Sequence, residues 1–150
     1  RYEPCLDELE VFRAGSNPEN VARMDGVKLS SSGNYSNSGK HQLKHINDGR
    51  YGNSFSWISN EKGGGWVQLE LPRTETIDRI EWARDRDRKF SDRLPVRYQI
   101  AVSLDGETWT TVASSQDRVP MGTPFDHVAS IQRAASGAAT EEIPKLTAQL

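Results

Sequence analysis

The sequence predicts an all-β fold, an antiparallel sandwich, on three observations. Apolar residues recur at every second position in several short runs. Clusters of Gly, Asn, Ser and Asp separate those runs, as turns between strands require. Before residue 120 no stretch carries helical spacing. A chain of 150 residues suits one domain of ordinary size. Its hydrophobic share of 35% is low, so much loop is expected, while four Trp, four Tyr and four Phe supply bulk for a core.

The first strand is read over Cys5–Phe12, with Cys5, Leu9 and Val11 on one face and acids interleaved, as in a strand with one polar side. Cys5 is the single cysteine, read as a small buried hydrophobe, so disulfides, a CxxCH haem site and a cysteine-rich zinc site are excluded. Val67, Leu69 and Leu71 alternate with Gln68 and Glu70 in a second clear strand. Ile80 and Trp82 share a face in a third, where Ile77 breaks the period and implies a bulge. A fourth strand carries Val96, Tyr98, Ile100 and Val102, and Asp105-Gly106 then reads as a tight hairpin turn leading to Trp109 and Val112. Trp57, Trp66, Trp82 and Trp109 fall at strand positions and are read as core.

Composition changes near Arg118, which predicts a module over residues 1–118 and a linker or helical tail over 119–150 leading to a next domain. In the tail, Thr123 caps an expected helix opening at Pro124 and ending at Gly137, and a second short helix is expected around Glu141 to Leu150. A start at Arg1 with no leader implies a segment of a longer protein. Net charge is −2, which excludes a globally basic nucleic-acid binder. No apolar run is long enough to span a membrane.

Four pieces in order, His45-Ile46-Asn47-Asp48-Gly49, Ser56-Trp57-Ile58-Ser59, Gly65-Trp66-Val67-Gln68-Leu69-Glu70-Leu71 and Tyr98 through Trp109, resemble the galactose-binding-domain-like superfamily. That group includes discoidin domains and family 32 carbohydrate-binding modules. The resemblance implies a jelly-roll sandwich. One departure is informative: the superfamily's usual last strand has no counterpart after Val112, whereas Asp7-Glu8-Leu9-Glu10-Val11-Phe12 matches it at the opposite end of the chain. A circularly permuted order would place the N-terminal strand in that position. The alternative is that Cys5–Phe12 closes a preceding domain. The run from Glu3 to Arg118 also resembles a module of large planctomycete surface proteins with cytochrome-like regions, which implies an exported, extracellular or cell-surface location.

The resemblance further implies one structural calcium ion pinning the Asp-Gly loop to that strand. Its oxygens would come from the Asp48 and Glu8 carboxylates, the His45, Arg50 and Asp7 carbonyls, and Ser54 or a neighbour. The loop from Asp48 to Trp57 is longer than usual in the family, which makes Ser54 the least secure donor.

Sugar recognition needs an aromatic face for the apolar side of the ring and fixed polar groups for its hydroxyls. The loop Arg84–Arg93 concentrates five basic and three acidic residues around Phe90. Arg84, Asp87, Arg88, Phe90 and Arg93, with Tyr51, are therefore the expected ligand contacts, and guanidinium forks there favour an acidic polysaccharide. A solvated, self-paired charge run is the competing reading. Tyr35 and Phe55 are alternative platforms, with Asn34, Asn37, His41, Asn53 and Asn60 as further hydroxyl partners.

Catalytic signatures fail on inspection. His41 and His45 are four apart, but Gln42 stands where a zinc protease needs a general base. Gly63-Gly64-Gly65 opens onto Trp66 rather than the Lys-Ser/Thr of a phosphate loop. Asp85 and Asp87 lie among arginines that would lower their pKa and spoil them as general acids. The expected function is a non-catalytic, monomeric carbohydrate-binding module in a longer exported protein. A protein-interaction or spacer domain is the alternative.

Overall fold

The computed structural model describes residues 2–35, 39–119 and 143–149, the last as backbone. Among the described residues nine strands form: β1 Cys5–Leu6, β2 Glu8–Arg13, β3 Lys28–Ser31, β4 Trp57–Ile58, β5 Trp66–Glu75, β6 Ile77–Ala83, β7 Gln99–Ser103, β8 Thr110–Ser114 and β9 Ile143–Gln149. All ladders are antiparallel. The larger sheet runs β3-β5-β9-β7-β8, and the pairs β1-β4 and β2-β6 supply the other layer. The N-terminal strand expected over Cys5–Phe12 thus belongs to the sandwich. It changes partner at Asp7, leaving β4 for β6.

Between the layers Leu6, Leu9, Val11, Trp57, Val67, Leu69, Leu71, Ile100 and Val102 form one buried cluster. The alternation along β5 faces the core as expected. Trp57 is fully buried and its indole N–H donates to the Gly33 carbonyl at 3.0 Å, whereas Trp66, Trp82 and Trp109 are half-buried. The bulge expected at Ile77 is present: the ladder with β2 shifts register between Phe12, opposite Arg79, and Arg13, opposite Ile77. After β2, Asn20 caps a 3-10 turn over Val21–Arg23 and ties it to the strand, its side-chain oxygen accepting from both the Ala22 and Val11 N–H groups.

Four expectations are corrected. The polar side of the first strand is covered: Glu8 is buried completely and Glu10 nearly so, because loops distant in sequence close over it. Val96 lies outside β7 and is exposed, the strand beginning only at Gln99. The Asp105-Gly106 turn is part of a longer connection over residues 104–109, in which the Asp105 carboxylate accepts from the Glu107 and Thr108 N–H groups. Finally, residues 143–149 are strand and not helix. They fill the gap between β5 and β7, where a ladder on both sides satisfies backbone groups that a helix would leave unpaired. Pro144, which has no N–H to give, sits where the β5–β9 ladder loses register, between Lys145 and Ile143. The helix expected over 123–137 lies outside the described residues. No helix among the described residues is long and apolar enough to cross a membrane.

Candidate functional site

Four connections gather at one end of the sandwich: residues 32–35 and 39–42 after β3, 45–56 before β4, 59–65 before β5, and 84–98 after β6. Backbone hydrogen bonds hold them to each other and to the chain start. The Cys5 N–H donates to the Arg93 carbonyl at 3.0 Å, Ser59 to Pro4 at 2.9 Å, Gly63 to Tyr2 at 3.0 Å and Tyr35 to Ile58 at 2.8 Å.

Buried carboxylates organise the middle of this end. Asp7, fully buried at the point where the first strand changes partner, accepts the Gly52 N–H at 3.1 Å and the Arg86 N–H at 2.6 Å through Oδ2. One side chain therefore draws two loops onto the strand. Gly52 is required there: its φ is +92° and a Cβ would lie 2.6 Å from the Asp87 carboxylate. Glu8 Oε1 accepts the Gly49 N–H at 2.9 Å. Asp7 Oδ1 and Glu8 Oε2 are buried with no hydrogen-bond partner among the described residues. Burial pushes the Glu8 carboxyl up to about 7, with the nearby charges of Asp48 and Glu10 adding to the rise against the Gly49 hydrogen bond. Burial likewise raises Asp7.

The Asp48 loop thus meets Glu8, as the sequence implied. Asp48 itself faces His45 Nδ1 at 2.8 Å and accepts the Arg50 N–H at 2.8 Å. Ser54 is exposed, and the Arg50 guanidinium lies over the Phe55 ring at 3.9 Å. His41 pairs separately with Ser56 at 2.8 Å, so the two histidines have different partners. Among the described residues no three His, Cys, Asp or Glu side chains group to hold a metal. A calcium ion here would have to complete its shell with backbone carbonyls.

The loop Arg84–Arg93 is locked from within. Arg84 is only 5% exposed, donating to the Asp92 carbonyl and carboxylate at 2.7 and 2.9 Å and to Asn53 at 2.9 Å. Asp85, also buried, accepts the Lys89 and Phe90 N–H groups, each at 2.8 Å. Arg86 pairs with Glu10 at 2.7 Å and lies over the Tyr51 ring, whose hydroxyl also donates to Glu10. Lys89 pairs with Asp87, and Arg93 with Glu3 and Asp92. Arg88, at φ 59°, is the one cation of the loop with no ion pair among the described residues. Beside it Phe90 is 49% exposed. Of the six ligand contacts expected, Arg88 and Phe90 present themselves at the loop tip, with Asp87 and Tyr51 exposed nearby, while Arg84 and Arg93 are engaged in holding the loops.

Reading the sequence missed Tyr2, Glu3 and Glu10, all drawn into this end. No local pattern marks them, since their partners lie far along the chain.

Comparison with known proteins gives one match: the family model for the F5/8 type C domain matches residues 27–135. That span starts after β2, so β1 and β2 stand outside it while their partners β4 and β6 lie within it. No curated protein and no solved structure matches the chain.

Proposed function

The chain belongs to the F5/8 type C domain family, and from that membership we propose that it binds polysaccharide, without cleaving it, through the loop end of the sandwich. Domains of this family are carbohydrate- or ligand-binding modules, generally without catalytic activity. The observation that carries the reading is the Arg84–Arg93 loop. Arg84 and Asp85 fix its backbone from below, so Phe90 and Arg88 stand out on a rigid support and lose little freedom when a ligand arrives. Phe90 offers an apolar face to a sugar ring, and Arg88 a fork for hydroxyls or a carboxylate. The preference for acidic glycans rests on Arg88, because the other four cations of the loop are matched by carboxylates. The module would serve at a cell surface as part of a longer exported protein.

One calcium ion would be held by Glu8 and Asp48 with carbonyls of the His45–Arg50 turn and of Asp7. The buried, unpartnered Glu8 Oε2 beside the Asp48 charge suits a divalent cation. Its role would be to fix the loop by binding only the folded chain.

Affinity electrophoresis of the protein in gels containing polygalacturonate, chondroitin sulfate or galactomannan tests the main reading. Retardation that weakens on Phe90→Ala, and for the acidic polymers on Arg88→Ala and with added salt, supports it. Unretarded migration in every gel contradicts it and favours a spacer or protein-interaction domain.

A further inference from the structure

We propose that Tyr2 and Tyr35, gathered around the Arg93 guanidinium, form a second aromatic platform that takes the rings of a neutral polysaccharide. The proposal rests on the polysaccharide reading and adds to it a place and a ligand class. The N-terminal segment then completes the binding end of a domain whose family match begins only at Val27.

Arg93 Cζ lies 5.4 Å from the Tyr2 ring centroid and 5.5 Å from that of Tyr35. A guanidinium at such distances attracts both ring faces and sets their positions. Arg93 is fixed in turn, by its ion pairs with Glu3 and Asp92 and by the Cys5 N–H on its carbonyl. Its φ of 60° places it in the left-handed region, a conformation that an L-residue keeps only where its surroundings impose it. Tyr2 is anchored by the Gly63 N–H and Tyr35 by its own N–H on Ile58.

Both backbones are therefore held, yet the rings remain in water. Tyr2 is 66% exposed and Tyr35 42%. A tyrosine needed only for packing would bury its ring; these two display amphipathic rings from an immobilised base. The rings lie within reach of a single guanidinium, a spacing that adjacent sugars of one chain can cover. Charge decides the class of sugar. Arg93 is paired with Glu3 and Asp92, so the cation between the two rings is already committed, in contrast to Arg88 at the neighbouring loop tip. C–H faces stacked on the rings, with tyrosine hydroxyls reaching ring hydroxyls, suit a neutral hexose polymer.

Calorimetric titration of the full chain tests this, with galactomannan, xyloglucan and laminarin as neutral probes and polygalacturonate as the acidic one. The variants are Tyr2→Ala, Tyr35→Ala, the double alanine variant, Tyr2→Phe with Tyr35→Phe, and Arg88→Ala. Thermal melting of each checks that the exposed rings are removed without loss of the fold. The expected result is binding of at least one neutral probe that falls about tenfold in the double alanine variant. The double phenylalanine variant should keep most of it, and Arg88→Ala should weaken polygalacturonate binding more than that of the neutral probe. Equal affinity of wild type and double alanine variant for the neutral probe overturns the platform. Binding of polygalacturonate alone overturns the platform and leaves the polysaccharide reading standing, whereas binding of none of the four overturns both.

Discussion

Asp7 and Glu8, the deepest acids of the loop end, are treated in the opposite way to Glu75 at the other end, although Glu3 and Glu10 of the loop end are paired with Arg93 and Arg86. Away from the loops, Glu75 accepts from Arg13 at 2.6 and 2.8 Å and from Arg73 at 2.7 Å, while Glu19 takes a further N–H of Arg13. Those hydrogen bonds, Arg13 first, hold the Glu75 carboxyl down to about 2. At the loop end Asp7 and Glu8 are deeper, and among the described residues they carry no such guanidinium clamp and each keeps one buried oxygen without a hydrogen-bond partner. Burial raises both. A closed network such as that around Glu75 serves the fold alone. An end that keeps carboxylate oxygens without partners among the described residues, an arginine outside the ion pairs and several exposed aromatic rings has capacity left for ligands.

The sharpest way to break the comparison is to remove its common support. Trp57→Ala should cost about 4 kcal/mol in denaturant unfolding, from lost burial, a cavity and the orphaned Gly33 carbonyl. A loss below about 1 kcal/mol would mean that the loop end does not rest on this residue.

Next comes the closed end. Glu75→Ala should cost about 2 kcal/mol, less than breaking a fully buried pair because Arg13 and Arg73 reach solvent. Polysaccharide binding should not change. Gly52→Ala acts at the other end and is smaller, about 1 kcal/mol in stability, since the strain of a positive φ is local and the Asp87 side chain can swing away.

Glu8→Gln should reverse the sign. The folded carboxyl, near 7, lies above its ordinary value of 4.5, so the folded state holds the proton more tightly. In chelator, stability from this group should fall as pH rises from 4.5 through about 7. Melting in chelator at about pH 8 should then be higher for Glu8→Gln than for wild type, and the difference should vanish near pH 5. Glu75 responds oppositely: its contribution is complete above 4.5 and is lost as pH falls toward about 2. Calcium should raise the wild-type melting temperature and leave Glu8→Gln unmoved. Identical wild-type melting with calcium and with chelator would contradict the ion.

Strands with one open face were the legible part of the fold. In β5 the apolar and polar residues alternate because one side meets the core and the other meets water, and the bulge at Ile77 announced itself as a break in that period. The first strand misled for the complementary reason. Glu8 and Glu10 read as the polar side of a strand, but the Gly49 loop and the Tyr51–Arg86 pair, far along the chain, close over them. β9 was hidden because its pairing with β5 and β7 is a demand of the sheet, invisible in a tail whose residues also suit a helix. At the site, Phe90 and Arg88 were legible as loop residues of the right chemistry. The self-paired reading of the loop anticipated that Arg84 and Arg93 would meet Asp92, but not their bonds to Asn53 and Glu3, which lie 31 and 90 residues away respectively.

Backbone NMR during titration with galactomannan and polygalacturonate puts the contrast between the ends to its most direct test. Binding through the loop end predicts amide shift changes concentrated at Tyr35, Tyr51 and Arg88–Phe90, with Arg13, Arg73 and Glu75 silent. Changes centred on the Glu75 network, or none anywhere with either polymer, would contradict it.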